Sequence, residues 1–209
     1  MKPHPSVFND ATITAIQAHL PPDRYPRVID PFAGTGKIHG LKQETVGVEI
    51  EPEWADHHPD TIVGDALNLP FQDDTFDAAA TSPTFGNRMA DHHEAKDASK
   101  RNTYRHKLGR ELSVGSSAGM QWGEEYRLFH AQAWQEICRV VKPGGRFVLH
   151  VKNHIRGGEE QHVSEWHLTT ILGMGMTLNQ MDFVPARGLR YGANSDLRTS
   201  HEFLMVFDV

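Results

Sequence analysis

Val28-Ile29-Asp30-Pro31-Phe32-Ala33-Gly34-Thr35-Gly36 is the stretch that decides how this chain is read. Residues 27–30 form a short apolar run of strand type that feeds directly into a turn carrying two glycines. Glycines of this kind stand where backbone takes a positive φ or must lie close to a bound molecule. In open parallel sheets, ligands sit beyond the carboxyl ends of the strands, where the strand order reverses. The pattern is not the dinucleotide G-x-G-x-x-G, because position 39 is His39, which reads as a helix-surface residue. Nor is it a phosphate loop, since no Gly-Lys-Ser/Thr follows.

Working outward from this turn, strands and helices alternate. Asn9 to Leu20 reads as a helix with Asn9 or Asp10 as its N-cap, stopped by Pro21-Pro22. Strands are expected at 45–49, 61–64 and 76–81. A helix is expected at 125–141, then a turn at Lys142-Pro143-Gly144-Gly145 and a strand at 146–151. A further helix at 163–173 precedes two terminal strands near 178–184 and 202–209. The fold class is therefore α/β: a Rossmann-like, mostly parallel sheet with an antiparallel C-terminal hairpin and helices on both faces. A single domain over residues 1–209 fits the length of 209 residues. Residues 87–122 show no clear period and read as a basic insertion.

Composition narrows the class of protein. Hydrophobic residues make up 38% of the chain, and no apolar run approaches the roughly 20 residues a membrane helix needs. The N-terminal residues contain no apolar secretory core, and a single cysteine, Cys138, excludes an internal disulfide framework. Cys138 falls in an apolar helical stretch and reads as core packing. A cytoplasmic protein is expected. The formal net charge of -6 argues against a general nucleic-acid binder. Basic residues are nonetheless concentrated between Arg88 and Arg110. The adjacent pairs His57-His58 and His92-His93 do not have the spacing that converges on one ion, so no metal is expected.

Three further signals follow the glycine turn in order. The strand Val46-Gly47-Val48 ends in Glu49, whose carboxylate can accept hydrogen bonds from both hydroxyls of a ribose. Glu51 is a close competitor. Asp65 follows the third strand and can accept from an exocyclic amine of adenine, with Ala66 and Leu67 against the ring. The fourth strand runs into Ser82-Pro83-Thr84-Phe85.

The ordered set DPFAGTG, GVEIE, GDA, SPTF and KPGG, over about residues 28 to 150, resembles class I S-adenosylmethionine (SAM)-dependent methyltransferases. SPTF resembles the (D/N/S)-P-P-(Y/F) signature of the amino-methyltransferases that modify adenine N6, cytosine N4 or guanine N2. The N-terminal HPSVF resembles the element before the first helix in DNA amino-methyltransferases. The resemblance implies SAM as cofactor, with Asp30, Phe32, Gly34 and Gly36 at its methionine part. It implies Glu49 at the ribose, Asp65 and Ala66 at the adenine, and Phe8 nearby. Ser82, Pro83, Thr84 and Phe85 would be the catalytic element: an exocyclic base amine is a weak nucleophile, its lone pair being delocalised into the ring, so Ser82 Oγ and the Pro83 carbonyl would accept its two N–H bonds and Phe85 would stack on the base. Thr84 replaces the usual second proline, which frees the direction of the Pro83 carbonyl.

DNA is the expected partner, through Asn87, Arg88, Lys100, Arg101 and Arg105 in the basic insertion, with Tyr104 among them. RNA is the alternative substrate, and a SAM-binding module without transfer activity the alternative of another class. Lys152 to Arg156, and Arg187, Arg190, Tyr191 and Arg198 near the chain end, are further candidates for phosphate contacts. Met120-Gln121-Trp122 reads as an anchor of the insertion on the core. The oligomeric state is left open.

Overall fold

A computed structural model describes residues 2–6, 8–94, 96–185, 197 and 200–209. Arg187, Arg190, Tyr191 and Arg198, and the side chain of Arg88, lie outside the described residues. Helix α1 (Asp10–His19) starts where Asn9 Oδ1 accepts from the Thr12 amide at 2.9 Å, as its sequence predicts. Strands β1 (Arg27–Asp30), β2 (Glu44–Glu49), β3 (Thr61–Val63) and β4 (Phe76–Thr81) follow, with a short helix α2 (Pro52–Ala55) between β2 and β3. Helix α3 (Tyr104–Leu108) lies in the predicted insertion. Then come α4 (Glu124–Val140), β5 (Val141–Val151), the hairpin β6 (His154–Arg156) and β7 (Glu159–Gln161), α5 (Val163–Gly173), β8 (Thr177–Pro185) and β9 (His201–Asp208).

Among the described residues, seven strands form one sheet in the order β3-β2-β1-β4-β5-β9-β8. The first five are mutually parallel, and β9 runs antiparallel to both β5 and β8. Strand order reverses between β1 and β4. The glycine turn after β1 and the Ser82 element after β4 therefore meet in one crevice, at the carboxyl edge of the sheet.

Strand alternation divides the core into two faces. Val28, Ala78, Ala80, Val148, Leu204 and Val206 share an apolar cluster with Ile16 of α1 and with Leu20, its C-cap. Ile29, Ala79, Phe147, Leu149, Met205 and Phe207 share the other with Trp134 and Ile137 of α4 and Ile171 of α5. Cys138 is half-buried and packs against that second cluster. Trp134 is fully buried, with its ring 5.2 Å from Phe147. A buried aromatic of this size contributes about 3 kcal/mol or more against truncation to alanine. Among the described residues, no helix is long and apolar enough to cross a membrane.

The structure corrects two expectations. Lys142 to Gly145 is not a free turn but the start of β5, which pairs with β4 through a register shift between Phe76 and Ala78. Gly144 takes φ +77°, and a Cβ on Gly145 would lie 2.7 Å from the Asp77 carbonyl, so the glycines let the chain bulge without leaving the sheet. The β6–β7 hairpin was not foreseen, although Gly157-Gly158, both at positive φ, is the turn signal that marks it.

Candidate functional site

The glycine turn is held from below. Asp30 is 1% exposed; its Oδ1 accepts from the Phe32 amide at 3.0 Å and from Thr81 Oγ1 at 2.6 Å, tying the turn to β4. Gly34 and Gly36 both take positive φ. A Cβ on Gly36 would lie 2.8 Å from both His39 and His58, so the position admits no side chain. Glu49, at the tip of β2, accepts from the Gly34 amide through Oε2 and from the Glu51 amide through Oε1, both at 2.9 Å. Burial pushes Asp30 and Glu49 up to about 7, against the hydrogen bonds that stabilise their anions. Glu51 is turned the other way: fully buried, it accepts from the Ser113 amide, Ser113 Oγ and Arg110.

A cavity of about 390 Å³ runs along this edge, within the ~300–1,000 Å³ range of small-molecule sites. Phe32, Gly34, Glu49, Asp65 and Ala66 line it, as do Ser82, Thr84, Phe85 and Phe8. Asp30, Gly36 and Pro83 are not among its lining residues and shape it from behind. The structure adds residues that sequence reasoning missed. His4 lines the mouth, packed edge-on against Trp54 at 4.4 Å and Tyr104 at 5.4 Å. Residues 115–118 cover the Asp65 end of the cavity.

Thr84 now has a structural reason. Its hydroxyl lies 3.2 Å from the Ser117 carbonyl and 3.3 Å from Ser117 Oγ, so it fastens the covering segment to the tip of β4. Its backbone is held from the core. Trp134 Nε1 donates to His167 Nδ1 at 3.0 Å, which leaves the His167 proton on Nε2. That Nε2–H donates to Tyr126 Oη at 3.0 Å, and the Tyr126 hydroxyl donates to the Thr84 carbonyl at 2.6 Å. Burial pushes His167 well below its usual range, consistent with a neutral ring in this chain.

At the other end, Ser82 Oγ lies 3.1 Å from His150 Nδ1, and His150 Nε2 lies 3.0 Å from Glu202 Oε2. The second contact is close but poorly aligned for a hydrogen bond. Both His150 and Glu202 line the cavity. No sequence signal joined them to Ser82, because they sit on β5 and on the strand paired with it.

The basic insertion is less free than its sequence suggests. Arg101 pairs with Asp91 at 3.1 Å, Arg105 with Glu111 at 2.8 Å, and Arg110 with Glu51 and Glu53. Asn87 caps its own turn by accepting from the Met89 amide, and Lys100 is exposed. Trp122 is an anchor: its amide donates to the Gly86 carbonyl at 2.8 Å, and its ring packs on Tyr126 and Trp166. Lys152 reaches toward Glu202 at 3.5 Å, and Arg156 donates to the Trp122 carbonyl at 3.3 Å.

His39 lies part-exposed in the short 3-10 helix Lys37–Gly40, as a helix-surface residue would, but its side chain is engaged. Its ring stacks on His58 at 3.8 Å, and its two nitrogens lie 2.8 Å from Thr45 Oγ1 and Thr61 Oγ1. His39, His58 and Asp60 bring donor atoms within 4.8 Å of one another. Both His39 nitrogens already lie within hydrogen-bond distance of threonine hydroxyls.

No protein-family profile and no curated protein matches this chain. Solved structures do. A SAM-dependent methyltransferase from Methanosarcina mazei is similar over 93% of this chain and 96% of its own, with a TM-score of 0.59 at 13% identity. Geranyl diphosphate methyltransferase in complex with SAM is similar over 95% of this chain and 84% of its own, with a TM-score of 0.55 at 13% identity. The 4+2 cyclase SpnF is similar over 94% of this chain and 79% of its own, with a TM-score of 0.58 at 15% identity. The chain thus has the class I SAM-dependent methyltransferase fold. The cyclase among these neighbours means that the fold alone does not name a reaction.

Proposed function

We propose that this chain is a SAM-dependent methyltransferase that modifies an exocyclic amino group of a DNA base, cytosine N4 or adenine N6. The observation that carries the reading is that Ser82, Thr84 and Phe85 open onto the same cavity as Gly34, Glu49 and Asp65. The residues fit SAM. Glu49 offers a carboxylate to the ribose hydroxyls, and the close backbone at Gly34 leaves room for the methionine part. Asp65 has Oδ1 occupied by the Leu67 amide at 2.9 Å, and its carboxylate retains further acceptor capacity for the adenine amine. When bound, the cofactor supplies an electrophilic methyl group on a sulfonium.

The chain's own part is to position the amine and draw on its N–H bonds. Ser82 Oγ, which lines the cavity, accepts such a bond, and Phe85 stacks on the base; Pro83 does not line the cavity, so the acceptor role expected of its carbonyl is not kept. Methyl transfer needs nitrogen, carbon and sulfur in line, so most of the acceleration is positional. The Trp134–His167–Tyr126 chain fixes the Thr84 backbone that sets this geometry. Asn87, Arg88 and Lys100 are the candidate contacts to the target backbone; Arg101 and Arg105 shape the insertion that carries them.

The test is transfer from methyl-labelled SAM to unmethylated DNA, RNA and a protein extract, with nucleoside mass spectrometry of the products. N4-methylcytosine or N6-methyladenine in DNA is expected. Label only in an RNA nucleoside, or only in protein, would replace the DNA assignment. Cofactor binding without transfer to any of them would support the binding-module reading instead.

A further inference from the structure

An amine nitrogen that bonds to an incoming methyl group uses its lone pair, while the carbon–sulfur bond pair stays with sulfur. The nitrogen is then left with one proton too many, and the neutral methylamine forms only when that proton departs. We propose that Ser82, His150 and Glu202 form the relay that removes it, an inference that rests on the methyl-transfer reading above. Ser82 Oγ takes the proton from the amine and passes its own hydroxyl proton to His150 Nδ1. The imidazolium so formed faces the Glu202 carboxylate, and the proton leaves to solvent once the product is released.

Three observations support the relay. First, all three side chains line one cavity, with Ser82 Oγ 3.1 Å from Nδ1 and Glu202 3.0 Å from Nε2. A carboxylate at Nε2 favours the tautomer with its proton there, which leaves the Nδ1 lone pair facing the serine. Second, the ring is held in place. His150 is 5% exposed, and the rings of Phe8 and Phe85 flank it at 6.1 and 6.2 Å. Its strand pairs with β9, with His150 opposite Leu204, so Glu202 is fixed by the sheet itself. Third, the carboxylate is charged. Burial pushes Glu202 up, yet it is held below the usual carboxylate range, and Lys152 Nζ, 3.5 Å from its Oε1, supports the anion. The titratable group facing the ring is Glu202 from β9, with Lys152 behind it, and the neutral Ser82 faces it from just past the end of β4.

The first readout needs neither cofactor nor substrate. Proton–nitrogen correlation spectroscopy of the labelled protein should show a neutral His150 ring protonated at Nε2. The conservative Glu202→Gln variant should move part of that population to Nδ1. The second readout is the pH profile of methyl transfer. His150→Gln should lower kcat by about 100-fold and abolish the acidic limb of the profile. Cofactor affinity should stay within twofold. Ser82→Ala, a smaller perturbation, should lose the same limb. A ring protonated at Nδ1, or an acidic limb that survives in His150→Gln, would overturn the relay. No transfer to any substrate with the Nε2 tautomer present would instead overturn the parent reading, and with it the assignment of the relay to an amine.

Discussion

Cofactor affinity should depend on pH through Glu49, in a direction that its surroundings set. Its folded carboxyl sits at about 7, raised by burial and then by the neighbouring Glu51 and Asp30, while the Glu51 and Gly34 amides oppose the shift. Ribose hydroxyls donate to a carboxylate, so binding favours the ionised form. The affinity is fully present above pH 7 and is lost as pH falls through it. For a group at about 7, the ionised fraction falls about tenfold from pH 8 to pH 6, which corresponds to about 1.4 kcal/mol of binding. Near pH 6, close to one proton should be released per cofactor bound.

Glu49→Gln removes the titration and keeps the shape. Its amide oxygen can accept from only one of the two backbone amides, and its NH2 faces the other as a second donor. Two charge-assisted bonds to the ribose, at roughly 1.5–3 kcal/mol each, are weakened rather than removed; losing about half of each should lower affinity by about 10- to 100-fold at pH 8. The assay is calorimetric titration with SAM at pH 6, 7 and 8, in two buffers of different ionisation enthalpy. Asp30→Asn separates the contribution of that neighbour. An affinity that is flat across this range in the wild type, or an equal slope in Glu49→Gln, would refute the reasoning.

Tyr126→Phe should leave the Thr84 carbonyl and the His167 Nε2–H without partners, at a cost of about 1–3 kcal/mol. Calorimetry should show a lower Tm, and transfer should slow while cofactor affinity holds; unchanged Tm and rate would exclude a positioning role. Arg110→Ala should leave the buried Glu51 with only its Ser113 donors. Because Arg110 is partly exposed, the expected loss is about 1–3 kcal/mol rather than the full cost of a buried pair. Urea unfolding checks this, and an unchanged midpoint would mean that the ion pair is not stabilising. Stability should also fall as pH drops from 7 to 5. Burial holds His4, His39, His130 and His154 down to about 4, and His167 well below its usual value. These rings stay neutral in the fold but take up protons near 6.5 when unfolded, so acid favours the unfolded chain. Asp30 and Glu49 act in the opposite sense, because their raised folded values favour proton uptake by the fold below 7. Five rings against two carboxyls leave a net loss, and a Tm that rises toward pH 5 would contradict this balance.

What could be read from sequence was what neighbours within a turn decide. Asn9 caps α1, Pro21 ends the run behind it, and residues 76–81 form a strand that stops before Ser82. Gly34 and Gly36 are where a positive φ is required. Each of these depends on backbone and side chains a few residues apart, so the local chain carries the whole signal. The order of motifs then implied the sheet and the cavity lining from Phe32 to Phe85. Tertiary structure decided everything that crosses strands. The strand order brings Ser82, His150 and Glu202 to one edge, although β5 and β9 lie far along the chain from β4. It pairs Arg110 with Glu51, so charge counted within the insertion overstated what is free to meet a target. It also turns Lys142 to Gly145 from an expected loop into a bulged strand, because β4 and β9 supply partners for backbone that no local pattern reveals. Hydrogen bonds and ion pairs between distant segments depend on which strands are neighbours, and only the folded sheet sets that.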